Sequence, residues 1–476
     1  MDRIRVIPGA ISQSSIRALV LAAGQGEPEV VVRRSEGGDD VRAIVVPLQV
    51  SQAMQTELDR DGVRLFSAST SGLRSGTEYE LHASHPGTIP PTRFRTLSRE
   101  APEEGFKVVV ASCYYDFFHR DADYLSTLKS TYCKGTAFKL LIGDNLYLDV
   151  APDQRYIEGG YRETVALYLR YFWHSGYADV LAHSPNFTTW DDHEFWNDYP
   201  ENQCHLSRTS DSGRKEYVRA GQECLRCFQA VLNQELPDGE NLSYRIEDTP
   251  VVSFFVADMR CARTRVKDAP QRMMHKEALK ELEEWANSLT RPGVLVVGQP
   301  LWIEEGSSTD HKPPDFALQY ERIWRAIAEA PHDILIVSGD VHHSRILEIG
   351  LGNNRSVYEF VTSPACHVPK VASIVVGGYG SQGRGKVKVP ESIPVGNDHG
   401  PTLKPRLLRY LFGTSVPNTI GVLKFRANPN GKVSVGCTFL DFLKKRPAKA
   451  EPLKINSRMV DPAYRRCYVE ELFRLS

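Results

Sequence analysis

From Phe106 onward, short apolar runs alternate with longer amphipathic stretches. The apolar runs have the length of buried strands and the amphipathic stretches that of helices, and this alternation is typical of an α/β fold. Strands are predicted over residues 106–112, 137–142, 186–190, 251–257, 294–298 and 333–337. Helices are predicted over residues 121–132, 161–183, 214–233, 275–288 and 315–330.

Each of the six strands is followed at once by polar side chains, namely Cys113, Asp144, Asp191 to His193, Asp258 with Arg260, Gln299, and Asp340 with His342. Because ligands bind at the carboxyl ends of strands in α/β sheets, we expect these side chains to meet at one edge. Taken alone, the run Asp191 to Glu194 is also compatible with a solvated loop. Six such strand endings favour a functional site.

The residue types at this edge indicate a metal centre. Several carboxylates placed together repel one another unless cations compensate them. The thiol of Cys113 and the phenol of Tyr147 suit a strongly Lewis-acidic transition metal, for which we expect ferric iron. Oxygen ligands from Asp191, Asp192 and Asn197 suit a hard divalent ion.

Residues 1 to about 97 are predicted to be all-β, with short β-prone runs separated by turn residues. The turn Leu73-Arg-Ser-Gly-Thr-Glu-Tyr79 and the closing run of residues 92–97 resemble a fibronectin type III-like sandwich, in which a tyrosine ties a loop back to a strand. Residues 98–105 form the predicted linker. At the other end, residues 419–426 and 432–439 are predicted to form a hairpin, and residues 441–476 a charged, solvated extension.

The composition excludes several classes of protein. The formal net charge of −1 does not indicate a nucleic-acid partner or an anionic membrane surface. No apolar run reaches the length of a transmembrane span, and the N-terminus lacks the apolar core of a signal peptide. With nine cysteines and no such signal, we expect a cytoplasmic protein with free thiols.

Together, the strand-end motifs resemble those of the PhoD-like metallophosphatases of the calcineurin-like superfamily. The motifs are Ser112-Cys113, Gly143-Asp144-x-x-Tyr147, Trp190-Asp-Asp-His-Glu194-x-x-Asn197, Asp258-x-Arg260-x-x-Arg263 and Ser338-Gly-Asp340-x-His342-His343. The resemblance implies a four-layer α/β fold over residues 106–440, with two β-sheets packed face to face between helices, and a β-sandwich domain over residues 1–100. It also implies a phosphodiesterase or alkaline phosphatase that depends on iron and calcium.

The resemblance further implies roles for individual residues. Cys113, Asp144 and Tyr147 would hold Fe³⁺, and Asp144 would be shared with Ca²⁺, for which Mg²⁺ or Mn²⁺ could substitute inside a cell. The calcium ligands would be Asp191 and Asp192, while Asp340 and His342 would complete the cluster at an ion that the sequence does not assign. A metal-bound hydroxide or oxo group would attack phosphorus. His193 would protonate the leaving group or orient the nucleophile, and the substrate phosphate would face Arg260, Asn197 and Arg263.

Two positions depart from the family pattern. Tyr114 stands where related proteins often have Gln, and Gln299-Pro-Leu stands where related phosphoesterases have His-His-Pro. A scaffold without catalytic activity and a phospholipase- or nuclease-type phosphodiesterase are the alternative functions. The substrate is expected to be a small-molecule or lipid phosphate ester, and the sequence does not indicate an oligomeric state. For single residues, the alternatives are a plain buried thiol at Cys113, a core aromatic at Tyr147, an Arg260–Asp258 ion pair, a turn residue at Asn197 and a supporting hydrogen bond from His193.

Overall fold

The computed structural model describes residues 3–115 (except 25, 39 and 84–90), 135–149, 160–365 (except 175, 204–208, 211–212, 237–238, 269, 304–310, 343 and 352–354), 395–399, 419–441 (except 430), 454–455, 458–459 and 466–475. The predicted helix over residues 121–132 and His343 lie outside the described residues.

The first hundred residues form two four-stranded antiparallel sheets, with strand orders β1-β2-β6-β5 and β4-β3-β7-β8. The elements are β1 (Arg3–Ile11), β2 (Ile16–Ala23), β3 (Val30–Arg34), β4 (Val41–Arg42), β5 (Ile44–Pro47), α1 (Gln52–Arg60), β6 (Val63–Thr70), β7 (Glu78–Ala83) and β8 (Thr92–Arg95). The hydroxyl of Tyr79 accepts a hydrogen bond of 2.9 Å from the backbone N–H of Arg74, which ties the preceding turn to β7.

The prediction that this region contains only strands is wrong over residues 52–60. Helix α1 begins after Ser51, whose hydroxyl accepts a hydrogen bond of 3.2 Å from the N–H of Met54. Met54 and Leu58, four residues apart, are buried on one face of the helix. An N-cap and an apolar stripe therefore stabilise a single short helix between two strands.

The rest of the chain alternates strands and helices, which confirms the predicted α/β class. The elements are β9 (Phe106–Ala111), β10 (Phe138–Ile142), α2 (Tyr161–Leu169), a π-helical turn (Arg170–His174), α3 (Gly176–Ala182), β11 (Asn186–Thr189), a 3₁₀ turn (Asp192–Glu194), α4 (Arg214–Leu225), a second π-helical turn (Arg226–Ala230), α5 (Val231–Asn233), β12 (Tyr244–Ile246), β13 (Ser253–Val256), α6 (Lys276–Asn287), β14 (Gly293–Val296), a 3₁₀ turn (Pro313–Asp315), α7 (Ala317–Glu329), β15 (Ile334–Ser338), β16 (Arg345–Leu351), β17 (Arg355–Val361), β18 (Val395–His399), β19 (Thr419–Ala427), β20 (Val433–Asp441), β21 (Lys454–Ile455), β22 (Arg458–Met459) and β23 (Arg466–Leu475).

These strands build two large sheets. The first has the order β11-β10-β9-β19-β20-β23 and the second β12-β13-β14-β15-β17-β16-β18. Strands β9 to β11 run parallel in the first sheet, and β13, β14, β15 and β17 run parallel in the second. The carboxyl ends of β9 to β11 therefore lie along one edge of the first sheet, and those of β13 to β15 along one edge of the second.

The two sheets share one apolar core, and helices cover their other faces. Alternate residues of a strand point to opposite faces of its sheet. In β10, Phe138 packs against Phe254 of the second sheet with ring centroids 5.7 Å apart, whereas Leu141 joins the cluster that contains α2 and α4. In β14, Leu295 joins the cluster that contains α6 and α7.

The predicted charged extension after residue 440 is corrected at its end. Strand β23 pairs antiparallel with β20 over Val433 to Leu440, so residues 466–475 form the edge strand of the first sheet. The sequence there, Arg-Cys-Tyr-Val-Glu-Glu-Leu-Phe-Arg-Leu475, mixes charged residues with β-prone apolar ones, and an edge strand accommodates both. The predicted hairpin of β19 and β20 is confirmed.

Candidate metal centre

Three glycines allow the strand ends within the first sheet and between the two sheets to approach one another closely. A Cβ atom on Gly143 would lie 2.8 Å from the Cβ of Asp191. On Gly298 it would lie 2.7 Å from the carbonyl oxygen of Trp190, and on Gly339 it would lie 2.6 Å from the Cβ of Ser112. Any larger residue at these positions would separate the strand ends that carry the predicted ligands.

Unusual backbone conformations concentrate at the same place. Among the described residues, six that are not glycine have a positive φ, and four of them are Cys113 (57°), Asp144 (51°), Asp340 (63°) and His342 (51°). A left-handed conformation is strained for such residues and is maintained by the surrounding structure. Here it turns side chains that closely follow β9, β10 and β15 toward a common point.

The first group of possible ligands combines sulfur, oxygen and nitrogen. Cys113, Asp144 and His342 each offer an atom, and these atoms lie within 4.8 Å of one another. The Cys113 Sγ lies 3.4 Å from Asp144 Oδ2, and the Tyr147 hydroxyl lies 3.2 Å from His342 Nε2. The structure thus places His342 with the predicted iron ligands, an assignment that the sequence left open.

The second group contains only carboxylates. Asp191, Asp192 and Asp340 offer oxygens within 4.8 Å of one another. Asp191 Oδ2 and Asp192 Oδ1 are buried and accept no hydrogen bond. Buried carboxylate oxygens without donors are costly, and a cation between them would remove the penalty. The structure thus brings Asp340 together with Asp191 and Asp192.

Burial raises the pKa of most of the candidate ligand side chains, whereas a bound cation would lower it. Burial and the neighbouring carboxylates of Asp144 and Asp340 raise the pKa of Cys113 well above its usual value. Burial likewise raises the pKa of Tyr147 and Asp144 well above their usual ranges and that of Asp191 to about 6. The donor set fits cations, because a bound metal ion deprotonates a coordinating thiol and so opposes the rise in pKa that burial causes.

A third group, Asp144, Asp192 and His193, links the first two. His193 Nδ1 lies 2.6 Å from Asp149 Oδ1, so its Nε2 is left for the centre. Burial opposes a charge on this imidazole, but Asp149, Asp144 and Asp192 outweigh it and raise the pKa of His193 well above its usual value.

Arg260 is buried and contacts the carboxylates directly. Its Nε donates a short hydrogen bond to Asp191 Oδ1, and its Nη1 donates one of 2.6 Å to the carbonyl of Tyr199. Its Nη2 lies 3.9 Å from Asp192 Oδ1. Burial alone would raise the pKa of Asp192, but Arg260 and His193 outweigh it and lower that pKa. The suggested Arg260–Asp258 ion pair is wrong, because Asp258 Oδ1 accepts from the backbone N–H of Arg260 instead.

Arg263 is linked to Asp340 through hydrogen bonds made by Gln299. Gln299 donates from Nε2 to Asp340 Oδ2 at 3.2 Å and accepts at Oε1 from Arg263 Nη1 at 3.0 Å. The buried Nη2 of Arg263 has no hydrogen-bond partner. Burial lowers the pKa of Arg263 to about 9, which leaves it charged at neutral pH.

Asn197 and Tyr114 have mainly structural contacts. Asn197 donates from its backbone N–H to Asp149 Oδ2 and from Nδ2 to Asp198 Oδ2, both at 2.6 Å, and so fixes the turn after the 3₁₀ helix. Tyr114 stacks on Tyr177 with ring centroids 3.6 Å apart, in the helical layer of the first sheet.

Two further residues support the centre without being among the predicted ligands. Asp149 orients both His193 and Asn197, and its only sequence signal is a second carboxylate five residues after Asp144. The carboxylate of Glu194 accepts from the N–H groups of Asp144 at 3.0 Å, Asn145 at 2.7 Å and Asp191 at 2.9 Å. It also completes a capping box with Asp191. Glu194 thus joins two strand ends, and it serves at a helix start rather than as a ligand.

Fold and site together define an α/β protein with a buried centre suited to metal ions. Residues 137–373 match the sequence profile of the PhoD-like phosphatases. These matched residues belong to the PhoD-like phosphatase family, a family of hydrolases, and the candidate metal-ligating groups fit the metal dependence of that family.

Among solved structures, one described as "Structure of PhoD" has a TM-score of 0.58 and is 15% identical, covering 92% of this chain and 90% of that chain. At that identity the likeness shows the fold alone. Comparison with curated proteins finds no match. Among the described residues, no helix is both long and apolar enough to span a bilayer.

Proposed function

We propose that the protein hydrolyses phosphate esters, as a phosphodiesterase or phosphomonoesterase, at the centre formed by the strand ends. The observation that carries this proposal is the meeting of three overlapping groups of metal-ligating side chains, two of whose buried carboxylate oxygens accept no hydrogen bond. An intact ligand set also argues against the alternative of an inactive scaffold.

The donor chemistry supports two kinds of ion. Cys113, Asp144, His342 and Tyr147 together offer thiolate, carboxylate, imidazole and phenolate, a set that suits Fe³⁺. Asp191, Asp192 and Asp340 offer only oxygen, which suits Ca²⁺, Mg²⁺ or Mn²⁺. When bound, such ions lower the pKa of water toward about 7 and neutralise charge on phosphoryl oxygens.

Arg260 and Arg263 have different roles in this proposal. Arg260 is held by Asp191 and the carbonyl of Tyr199, so its main role in this proposal is to position the carboxylates of Asp191 and Asp192. Arg263 keeps a buried, unpartnered Nη2 beside Gln299 and is the better donor to a phosphate oxygen. A charged N–H donor aimed at developing negative charge stabilises a transition state.

His193 is the proposed general acid. Asp149 holds Nδ1 and keeps the imidazole in one orientation, so Nε2–H can donate its proton to the departing oxygen. The carboxylate of Asp149, which is not among the proposed metal ligands, favours the protonated form of the imidazole, and this is the form that an acid requires.

We also propose the finer architecture and location that the sequence predicts. Residues 1–100 would form a fibronectin type III-like sandwich domain, and residues 106–440 a four-layer catalytic domain. The shared core of the two large sheets and the helical clusters on their outer faces support the layers. Fractionation of the cells would test the predicted cytoplasmic location.

The function is tested by purifying the protein, measuring bound metals and assaying bis-p-nitrophenyl phosphate with and without a chelator. We expect bound iron, hydrolysis of the diester, and loss of activity with chelator that added metal restores. Phospholipid and single-stranded DNA would be tested in parallel for the phospholipase and nuclease alternatives. A folded, metal-free and inactive wild-type protein would refute the proposal.

A further inference from the structure

The segment that follows β17 lies against the strand end that carries Cys113. The Ser112 hydroxyl donates to the carbonyl of Thr362 at 2.8 Å, and the backbone N–H of Ala365 donates to the carbonyl of Ser112 at 2.7 Å. Ser363 lies between these two attachments and is held beside Cys113. It is only 1% exposed and belongs to none of the strand-end motifs.

The hydroxyl of Ser363 connects two of the candidate ligands. It accepts a hydrogen bond of 3.0 Å from the backbone N–H of His342 and donates one of 3.0 Å to Cys113 Sγ. Ser344 Oγ fixes the backbone of Ser363, since it lies 3.3 Å from the nitrogen and 3.4 Å from the carbonyl oxygen. One hydroxyl therefore joins the sulfur of one ligand to the backbone of another.

Two serine hydroxyls lie near this sulfur, and Ser363 is the one that gives it a proton. A serine has a single O–H proton to donate. Ser112 directs its proton to the carbonyl of Thr362 at 2.8 Å, and its oxygen is 3.5 Å from Cys113 Sγ. Among the residues that the structure describes, Cys113 Sγ is the one acceptor of the Ser363 hydroxyl.

A hydrogen bond to a coordinating sulfur affects how that sulfur binds a metal ion. It lowers the energy of the sulfur lone pairs, so the thiolate donates less charge to the ion. It also helps to maintain the orientation of Cys113, whose φ of 57° is strained. Partners that orient metal ligands in this way contribute roughly 10- to 100-fold to metal affinity.

We propose that Ser363 positions the Cys113 sulfur for metal binding and sets how strongly the thiolate donates charge to the ion. Ser363 is a positioning residue, because it contacts a ligand and not the substrate. The inference rests on the proposed function in one respect, namely that Cys113 binds the metal. It requires neither hydrolysis nor that the ion be iron.

The test is absorption spectroscopy of the full-length protein after its metal has been exchanged for Co²⁺. A sulfur-to-cobalt charge-transfer band marks a thiolate ligand, whichever metal the protein binds in the cell. We expect this band in the wild type and its loss in Cys113→Ser. Ser363→Ala should move the band to longer wavelength, because the sulfur loses its hydrogen-bond donor, and the dissociation constant for Co²⁺ should rise about tenfold.

Two further variants separate this role from a structural one. Ser112→Ala is the matched control, because it removes an equally buried hydroxyl beside the same sulfur, but one that donates to a carbonyl. It should lower the melting temperature about as much as Ser363→Ala and leave the band in place. Ser363→Thr keeps the hydroxyl and should keep the wild-type band, whatever its melting temperature.

The proposal is overturned if the wild type shows no sulfur-to-cobalt band or if Cys113→Ser retains it. It is also overturned if Ser363→Ala leaves the band in place or if Ser112→Ala moves it as far. Hydrolysis of bis-p-nitrophenyl phosphate is measured separately on the protein with its own metals. A band that shifts in Ser363→Ala supports this inference even if the wild type is inactive, and an unmoved band overturns it even if the wild type is active.

Discussion

Replacing Gly298 with alanine should damage the metal centre through a single methyl group. The added Cβ would lie 2.7 Å from the carbonyl oxygen of Trp190 and 3.2 Å from both Cβ and Cγ of Asp191. Ordinary contact begins at 3.4 Å, so the Trp190 carbonyl must move by 3.4 − 2.7 = 0.7 Å. Both close neighbours belong to the stretch that carries Asp191, so this carboxylate must shift relative to Arg260.

The energetic and catalytic costs follow from that displacement. An extra methyl in a well-packed core costs about 1–3 kcal/mol, which urea unfolding would measure. A misplacement approaching 1 Å at a reacting centre costs roughly 100-fold in rate, so kcat/KM for a diester should fall by about 10- to 100-fold. Metal content, measured in parallel, should fall at the carboxylate group and be retained at the group that contains Cys113.

A matched control is available at Gly26, where an added Cβ would meet nothing within 4 Å and no positive φ is required. Gly26→Ala should leave both stability and activity unchanged. If Gly298→Ala behaves like this control, the close approach of β11 and β14 does not hold the ligands in place, and the reasoning fails.

Three further predictions concern single side chains. Asp144→Asn should abolish hydrolysis and lower bound metal, whereas Asp248→Asn, another aspartate with a positive φ but remote in the chain from the cluster, should retain both. Asp149→Asn should reduce kcat about 10- to 100-fold while KM changes little, because His193 loses its orienting partner; an unchanged kcat would contradict this role. Lys139→Met should lower the free energy of unfolding by about 2–4 kcal/mol without changing kcat, because the buried Nζ donates hydrogen bonds to the carbonyls of Val180 and Ser184. A urea midpoint of unfolding equal to that of the wild type would refute this prediction.

The sequence was most informative where a strand ends in a polar residue. The apolar runs at β9 to β11 and β13 to β15 have unambiguous length and flanks, so their positions in the sequence and the polar residues after them could be predicted. Strands β12, β16 and β17 were missed, because runs such as Arg345–Leu351 mix charged and apolar residues and have no continuous apolar signal.

Roles that depend on contacts between separate loops could not be predicted. Asp149 supports His193 across 44 residues, and nothing in the local sequence marks it as the partner. The partner of Arg260 was likewise ambiguous, because Asp258 is two residues away while Asp191 reaches it only after the two sheets have packed. Which carboxylates lie close to one another, and that His342 lies beside Cys113, are also properties of the assembled strand ends.

The order in which strands occupy the first sheet constrains how the chain can fold during synthesis. Strand β9 pairs on one side with β10, which follows it closely, but on the other side with β19, where Gly421 faces Val110 at a separation of 421 − 110 = 311 residues. A ribosome that adds roughly 5–20 residues per second leaves that side of β9 unpaired for tens of seconds. During this interval the apolar surface of Phe106 and Val108 needs protection from other nascent chains. Production of the protein should therefore respond more strongly to chaperone supply than its final stability would suggest.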